Sequence, residues 1–254
     1  MENKNYIFFF LIAYLRYIFM VGIAFVVFYK LFKKKFQKLK IQHLFPKSKD
    51  YYREIRYSFF TVLIFAFYAY LLKLPAVRIH TKIYTNISDY GWWYILLSFV
   101  LAVIIHDTYF YWSHRIMHHS KLFNIMHLVH HKSTNPSPWA AYAFHPFEAL
   151  VEGGIIWVLV FVIPLHPLTI GLFLLFMFTY NIYGHLGYEI IPNWLLFSKV
   201  GKWLNTSTNH NMHHHYFKGN YALYFRFWDI VMKTTHPKYE AVLKAFKKKK
   251  YNLA

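Results

Sequence analysis

Several stretches of this 254-residue chain are longer and more apolar than the core helices of a soluble domain. A helix that crosses a bilayer needs roughly 20 mostly apolar residues. Residues 7–29, 58–74 and 92–112 meet or approach that length, and residues 147–186 are long enough for two further passes around a turn at 164–167. Because 57% of the residues are hydrophobic and only 15% are charged, we expect an all-α integral membrane protein with four to five transmembrane helices.

The first apolar stretch resembles a signal peptide only in its position. Its apolar run is longer than the hydrophobic region of a signal peptide, and no small-residue cleavage site follows it. We therefore expect it to be a retained transmembrane helix.

The basic residues are distributed unevenly, and this orients the predicted spans. The chain has 29 basic and 10 acidic residues, a formal net charge of +19. Ten of the basic residues lie between Lys30 and Arg56, whereas the loop at 75–91 has only Arg78 and Lys82. By the positive-inside rule, the 30–57 loop and the lysine-rich C-terminus are cytoplasmic. We expect no nucleic-acid partner, because no recognisable binding module accompanies the charge.

Histidine is the residue type in surplus, with 17 in the chain and 14 of them between His106 and His215. They form three clusters with helical spacing, which is hard to explain by packing alone because buried imidazoles need partners. One cluster is a pair four residues apart, and the other two repeat the spacing i, i+3, i+4, which brings side chains to one side of a helix. The clusters consist of His114 and His118; His127, His130 and His131; and His210, His213 and His214.

These clusters predict a metal centre. Imidazole suits zinc, copper, iron and nickel, and at least eight clustered histidines exceed what one ion needs, so we expect two metal ions. The Glu-x-x-His pattern of ferritin-like bundles and the His-Glu-x-x-His pattern of zinc proteases are both absent. Asp107 lies seven residues before His114, near the same helix face, and is predicted to orient a ligating histidine. Carboxylates available to offset the metal charge are Asp107, Glu148, Glu189 and Asp229.

Around these residues the sequence resembles the fatty acid hydroxylase and sterol desaturase superfamily of membrane-bound di-iron oxygenases. The resemblance covers roughly residues 103–235, about half of the chain, and rests on five motifs in the order and spacing of the superfamily. These motifs are HDTYFYWSHRIMH, HLVHH, AFHPFE, GHLGYE and NHNMHHHYFKGNYALYFRFWD.

The resemblance implies O2-dependent hydroxylation or desaturation of a lipid, sterol-like or fatty acyl, by a centre of two iron ions with O2 as co-substrate. Some relatives have a further histidine four residues after the position of His185, where this chain has Glu189, which we count with Asp107 as a candidate catalytic residue. His106, His119 and His215 are expected to be neighbours of the centre or incidental. The metal ligands that the resemblance implies are His114, His118, His127, His130, His131, His145, His185, His210, His213 and His214.

The chain divides into three predicted regions. Residues 1–102 form N-terminal transmembrane helices with a basic cytoplasmic loop, residues 103–235 the hydroxylase/desaturase-like catalytic domain, and residues 236–254 a basic C-terminal tail. The histidine motifs are expected in a helical cap on the cytoplasmic face. The hairpin 147–186 is expected to border a lipid channel, although any one of its aromatic side chains can equally face the bilayer; these are Trp157, Phe173, Phe176, Phe178 and Tyr180.

Electrons for such a reaction are expected from an external donor. The chain has no cysteine for an iron–sulfur cluster and no glycine-rich dinucleotide motif. A ferredoxin or a b-type cytochrome with its reductase is therefore the expected partner, besides the membrane and the lipid substrate. The alternative is a histidine-rich membrane metal transporter or metal-binding protein, but transporters place their ligands near the bilayer midplane, often in repeated helices.

Overall fold

The computed structural model describes residues 2–251, with side chains from residue 6 to residue 245. Within this part the chain is helical, and its bridges between extended residues are isolated ones, such as Lys40 with Tyr188. The helices are α1 (Glu2–Phe25, continued by a π-helical segment Val26–Leu31), α2 (Lys33–Phe36), α3 (Ser48–Lys73), α4 (Pro75–Arg78), α5 (Trp92–Met117), α6 (Ser120–Met126), α7 (Leu128–His131), α8 (Pro146–Gly153), α9 (Ile155–Val162), α10 (Pro167–Gly184), α11 (Asn193–Leu196), α12 (Ser207–Tyr216), α13 (Phe227–Val231) and α14 (Tyr239–Tyr251).

Four of these helices are long and apolar enough to cross a membrane: α1 with its π-helical extension, α3, α5 and α10. Their outward faces carry exposed apolar side chains, including Leu15, Phe19 and Leu96 at 64%, 69% and 69% exposure. Such faces are stable in hydrocarbon, where a helix satisfies its own backbone hydrogen bonds. The expectation of an all-α protein with membrane-spanning helices is confirmed.

The first arm of the hairpin at 147–186 is shorter than a transmembrane helix. It consists of α8 and α9, which are separated at Gly154. Two successive glycines weaken a helix because they lack side-chain contacts and lose the most backbone entropy. A Cβ at Gly153 would lie 2.9 Å from the ring of Phe65, so this glycine also allows α3 to approach closely. Of the two passes expected here, only α10 has the required length.

The spans pack around two apolar clusters. In the first, Tyr17 of α1 and Val62 of α3 meet Tyr142 and Phe178. The second cluster joins α5, α9 and α10, and includes Phe173. These contacts hold the ends of α5 and α10 side by side, and the histidine-bearing segments lie at those ends.

The basic loop after α1 packs against the histidine-bearing segments. The Nε2 of Gln42 donates hydrogen bonds to the carbonyl oxygen of Thr134 and to Oδ1 of Asn211, both at 2.9 Å. The backbone N–H of Ile41 donates to the carbonyl oxygen of Gly187 at 3.0 Å. Loop and histidine motifs therefore share one end of the helices. The lysine side chains at 247–250, part of the predicted basic tail, lie outside the described residues.

Candidate metal centre

Nine of the ten histidines predicted as ligands converge in two adjacent groups. The ligand nitrogens within each group all lie within 4.8 Å of one another, and every ring except that of His118 is buried. The two groups meet where the ring of His131 stacks on that of His214 at 5.0 Å. Group I consists of His114, His118, His127, His131 and His213, and group II of His130, His185, His210 and His214.

The turn around α7 contributes to both groups. His127 and His131 are in group I, whereas His130 is in group II. At 100° per residue, side chains at i and i+4 are about 40° apart, while the side chain at i+3 is about 60° from the first and 100° from the second. The spacing thus separates the three rings, although the sequence suggested that they share one face.

Helix α12 repeats this division. His210 and His214 lie in group II, and His213 lies in group I. The dipeptides His130-His131 and His213-His214 therefore each supply one ring to each group. His114 and His118, four residues apart at the end of α5, both lie in group I as their spacing predicts.

Backbone carbonyl groups fix the orientation of several rings. The Nδ1 of His114 lies 2.9 Å from the carbonyl oxygen of Tyr221, that of His185 lies 2.8 Å from Asn181 O, and that of His213 lies 2.7 Å from Gly219 O. A carbonyl oxygen can only accept, so these Nδ1 atoms carry the proton. The Nε2 of each ring is then left with its lone pair, which is the form that ligates a metal.

The Nε2 atoms face one another at close range. In group I, those of His114 and His127 are 3.0 Å apart. In group II, the Nε2 of His185 lies 3.1 Å from that of His210 and 3.2 Å from those of His130 and His214. Since the Nε2 of His185 bears a single lone pair, three such neighbours are more than ordinary hydrogen bonding explains. The lone pairs point to a common centre.

Burial keeps these imidazoles neutral. It lowers the pKa of His185 to about 4, and it lowers the pKa well below the usual value for His127, His130 and His131. The same cause lowers the pKa values of His210, His213 and His214. Neutral rings are the ligating form, and nearby imidazolium groups would repel one another.

A carboxylate that the sequence suggested only as a charge offset contacts group I directly. The Oε1 of Glu148, in the first turn of α8, lies 2.8 Å from the Nδ1 of His127, and both side chains are buried. Burial raises the pKa of Glu148 well above its usual range. No sequence spacing relates these residues, since they meet only because α8 packs beside α6 and α7. The presence of Glu148 in the AFHPFE motif was the one available signal.

Asp107 does not contact a histidine ring. Seven residues of helix rise about 10.5 Å, which is beyond hydrogen-bond reach of His114. Its Oδ1 accepts hydrogen bonds from the backbone N–H of Tyr224 and Phe225 at 2.8 and 3.1 Å. Asp107 thus holds the 219–226 segment, whose carbonyl groups orient the rings of His114 and His213.

Asp229 secures the other end of this segment. Its carboxylate accepts hydrogen bonds from the backbone N–H of Tyr221 and Ala222, both at 3.0 Å. Gly219, whose carbonyl orients His213, has φ +79°, and a Cβ there would lie 2.6 Å from the carbonyl oxygen of Thr234. Only glycine fits this position without displacing the backbone.

Glu189 lies beneath α12 and does not contact a histidine ring directly. Its Oε2 accepts hydrogen bonds from the backbone N–H and hydroxyl of Thr208, at 3.1 and 2.8 Å, and its Oε1 accepts from the hydroxyl of Tyr183 at 2.9 Å. The carboxylate is fully buried and lies at the first turn of the helix, where a negative charge is stabilised by the helix dipole. Glu189 therefore positions the helix that carries three of the rings.

The remaining histidines of the motifs lie outside both groups. His145 caps the start of α8, where its Nδ1 accepts from the backbone N–H of Phe147 at 3.3 Å. The Nδ1 of buried His106 lies 2.9 Å from the hydroxyl of Tyr224. His119 and His215 are exposed at the surface.

An apolar cavity of about 460 Å³ lies between the spans, and two of its lining residues contact rings of the histidine groups. Its inner end is lined by Phe110, whose ring lies 5.0 Å from that of His114, and by Phe144, whose ring lies 5.1 Å from that of His130. The hairpin borders this cavity as expected, but through residues other than the aromatic ones named above. These are Glu152, Gly153, Ile155, Ile156, Pro167, Ile170, Leu174, Met177 and Asn181.

Comparison with protein families agrees with this arrangement. The family model described as "Fatty acid hydroxylase" matches residues 99–234, which is more than half of the chain and includes both histidine groups. The chain belongs to the fatty acid hydroxylase family. Membership of this family accounts for the five motifs that the sequence shares with the wider hydroxylase and desaturase superfamily. The family match does not favour the alternative of a metal transporter or metal-binding protein.

Several relatives of this chain have names that describe the oxidation of sterols. A Delta(7)-sterol 5(6)-desaturase of Gibberella zeae is 34% identical over 177 residues, which is 70% of this chain and 53% of that protein. A lathosterol oxidase of Mus musculus is 32% identical over 163 residues, 63% of this chain and 52% of that protein. The chain spans about half the length of the curated relatives it matches. No solved structure gives a significant match.

Proposed function

We propose that this protein is an O2-dependent oxidoreductase that uses two iron ions to hydroxylate or desaturate a lipid at an unactivated C–H bond. The observation that carries the proposal is the pair of converging imidazole groups at the inner end of an apolar, lipid-sized cavity. Membership of the fatty acid hydroxylase family and the names of the sterol-oxidising relatives support it.

The residues present fit two metal ions. Within each group the ligand nitrogens all lie within 4.8 Å of one another and the shortest Nε2 separations are 3.0 to 3.2 Å, so several nitrogens could bind one ion at bonds of about 2.1 Å. In addition, the buried carboxyl group of Glu148 has a neutral imidazole as its neighbour and would be stabilised by a cation nearby. Groups I and II would each hold one ion.

Iron is the metal we infer, because the proposed reaction needs a redox-active ion. Imidazole ligands suit several divalent metals, so the donor set alone does not choose among them. Iron bound in both groups would supply O2 activation and the oxidation of the C–H bond.

The chain's own residues would bind the lipid and keep water out. The apolar walls of the cavity hold the lipid chain, and Phe110 and Phe144 separate its inner end from the rings of His114 and His130. The Oε1 of Glu148, 2.8 Å from the Nδ1 of His127, would accept a hydrogen bond from that nitrogen and so hold the ring in the tautomer with a free Nε2 lone pair. Asp107 and Glu189 act as positioning residues, through the 219–226 segment and α12.

The proposal includes an external electron donor and a cytoplasmic location of the histidine groups. The described residues contain few exposed acidic side chains at this end, since Asp107, Glu148, Glu152, Glu189 and Asp229 are all buried. An acidic ferredoxin or b-type cytochrome would be attracted to the basic surface that remains. Turnover with a reconstituted donor should therefore fall as ionic strength rises.

Metal analysis of the purified protein tests the proposal. We expect two iron ions per chain in the unmodified protein, and a loss of iron in His213→Ala (group I) and His130→Ala (group II). The matched control is His80→Ala, which changes an exposed histidine that belongs to neither group. This variant should contain as much iron as the unmodified protein. Unmodified protein without iron, or full iron content in both group variants, would contradict the proposal.

A further inference from the structure

Arg16 lies in the middle of the first membrane span. It is 10 residues from Tyr6 and 15 residues from Leu31, the ends of that span, or roughly 15 and 22 Å along the helix. An arginine side chain cannot cover either distance to reach water or lipid headgroups. Ionised groups at such depth are costly and occur where a partner or a ligand offsets the charge.

The protein provides no carboxylate partner for this guanidinium within the described residues. None of the ion pairs there includes Arg16, and its buried Nε has no hydrogen-bond partner. Two uncharged groups lie beside the guanidinium. They are the ring of Phe178, whose centroid is 5.7 Å from the guanidinium carbon, and the buried hydroxyl of Tyr142, which is within hydrogen-bonding reach. Neither group offsets the positive charge.

Arg16 and Tyr142 both line the apolar cavity. The lining residues of α10 recur every three or four positions from Pro167 to Asn181, so the cavity follows one helix face for roughly 21 Å. Lys73 and Arg78 line its other end, where α3 finishes and α4 begins. The one carboxyl group in the lining, that of Glu152, makes no ion pair with Arg16.

We propose that Arg16 binds the carboxylate of an amphipathic lipid whose hydrocarbon chain fills this cavity. This rests on the proposed function, because it names the substrate class of the same site. A planar carboxylate matches the two parallel N–H groups of a guanidinium and cancels its single charge. A phosphate monoester would bring more charge than one guanidinium offsets, and an uncharged hydroxyl would leave the buried cation uncompensated.

Lys73 and Arg78 have a different part in this proposal. They lie at the membrane-surface end of the cavity and attract anionic lipids toward its opening. Specificity for the carboxylate comes from Arg16, the cation inside the apolar section. The sterol named for the relatives has no carboxylate, so the proposal separates this chain from those proteins in substrate class.

The test compares two lipids that differ only in their polar end, oleic acid and oleyl alcohol, by calorimetric titration of the purified full-length protein in detergent at pH 8. We expect the unmodified protein to bind the acid at least roughly tenfold tighter than the alcohol, because only the acid forms a charge-assisted pair with the guanidinium. Arg16→Met should lose this preference while still binding the alcohol, and Arg16→Lys should keep part of it. Lys49→Met, which removes the charge of an exposed lysine outside the cavity lining, should leave the ratio unchanged.

Two results would overturn the proposal. One is equal binding of acid and alcohol by the unmodified protein, which decides the matter even if Arg16→Met fails to fold. The other is an unchanged preference for the acid in a folded Arg16→Met protein. Iron content, measured on the same samples, is a separate readout: its absence would contradict the di-iron function, whereas the binding ratio reports only on Arg16.

Discussion

The Nδ1 of His127 and the Oε1 of Glu148 are 2.8 Å apart, and neither side chain is more than 2% exposed. A carboxylate in this position increases the basicity of the ring's other nitrogen and fixes its direction. The contact links α8, at the wall of the lipid cavity, to group I. Loss of this partner should therefore be visible in metal binding.

We predict that Glu148→Ala lowers the affinity of the centre for iron by roughly 10- to 100-fold. Glu148→Gln should lose less, because its side-chain oxygen still accepts a hydrogen bond. Iron affinity can be measured by competition with a chelator, and Glu240→Gln, at an exposed glutamate, is the control. Equal affinity in Glu148→Ala and the unmodified protein would show that the contact does not support the metal.

Gly219→Ala should destabilise the protein by roughly 1–3 kcal/mol, because the new Cβ meets a backbone oxygen and φ is positive. The displaced carbonyl would also release the ring of His213. Gly171→Ala is the matched control, since a Cβ there has no neighbour within 4 Å and the residue lies within α10. Gly219→Ala should have a lower unfolding temperature and a lower iron content than Gly171→Ala.

Ala69→Phe should reduce lipid turnover by roughly tenfold or more, because a phenyl ring would enter the cavity and displace the substrate. Iron content should not change, since α3 does not supply a ligand to either group. Val100→Phe adds the same ring to an exposed face of α5 and should be active. Full activity in Ala69→Phe would mean that the substrate lies elsewhere.

Lys40 gives a pH-dependent prediction. Its buried ammonium group lies 5.6, 4.7 and 5.1 Å from the ring centroids of Tyr29, Phe45 and Tyr188, and burial lowers its pKa from 10.5 to about 8. Between pH 8 and 10.5 the unfolded chain binds the proton more strongly than the folded one. The folded state should therefore gain stability across this range, by roughly 3 kcal/mol in total.

The comparison of thermal unfolding with Lys40→Met isolates this effect from other titrating groups. The unmodified protein should become more stable relative to Lys40→Met as pH rises from 8 to 10.5, and the difference should be constant below pH 7. Lys49→Met, at an exposed lysine, should show no such trend. A difference that is independent of pH would mean that Lys40 keeps its ordinary pKa in the folded protein.

The sequence predicted much of the centre because helical spacing is a local property. His114 and His118 share a group for the reason their spacing suggests, and residue type alone pointed to metal binding. The contact of Glu148 with His127 could not be predicted, because it depends on how two helices pack. Asp107 was assigned by angle alone, whereas the rise along the helix separates it from the ring it was expected to orient.

The membrane spans were predictable for a similar reason, since length and apolar composition are read directly from the chain. The break at Gly154 was less evident, because the apolar character of 147–162 is continuous across it. In the sequence, Arg16 is only one basic residue within an apolar run. Its role depends on the cavity, which forms between helices distant in sequence.

Two of the His-His dipeptides each connect the two groups. His130 and His131 belong to different groups, as do His213 and His214. Consecutive Cα atoms are fixed at about 3.8 Å by the trans peptide. At these two points a single peptide bond therefore joins a residue of group I to a residue of group II. A shift of the backbone at either dipeptide would move a ligand of both groups together.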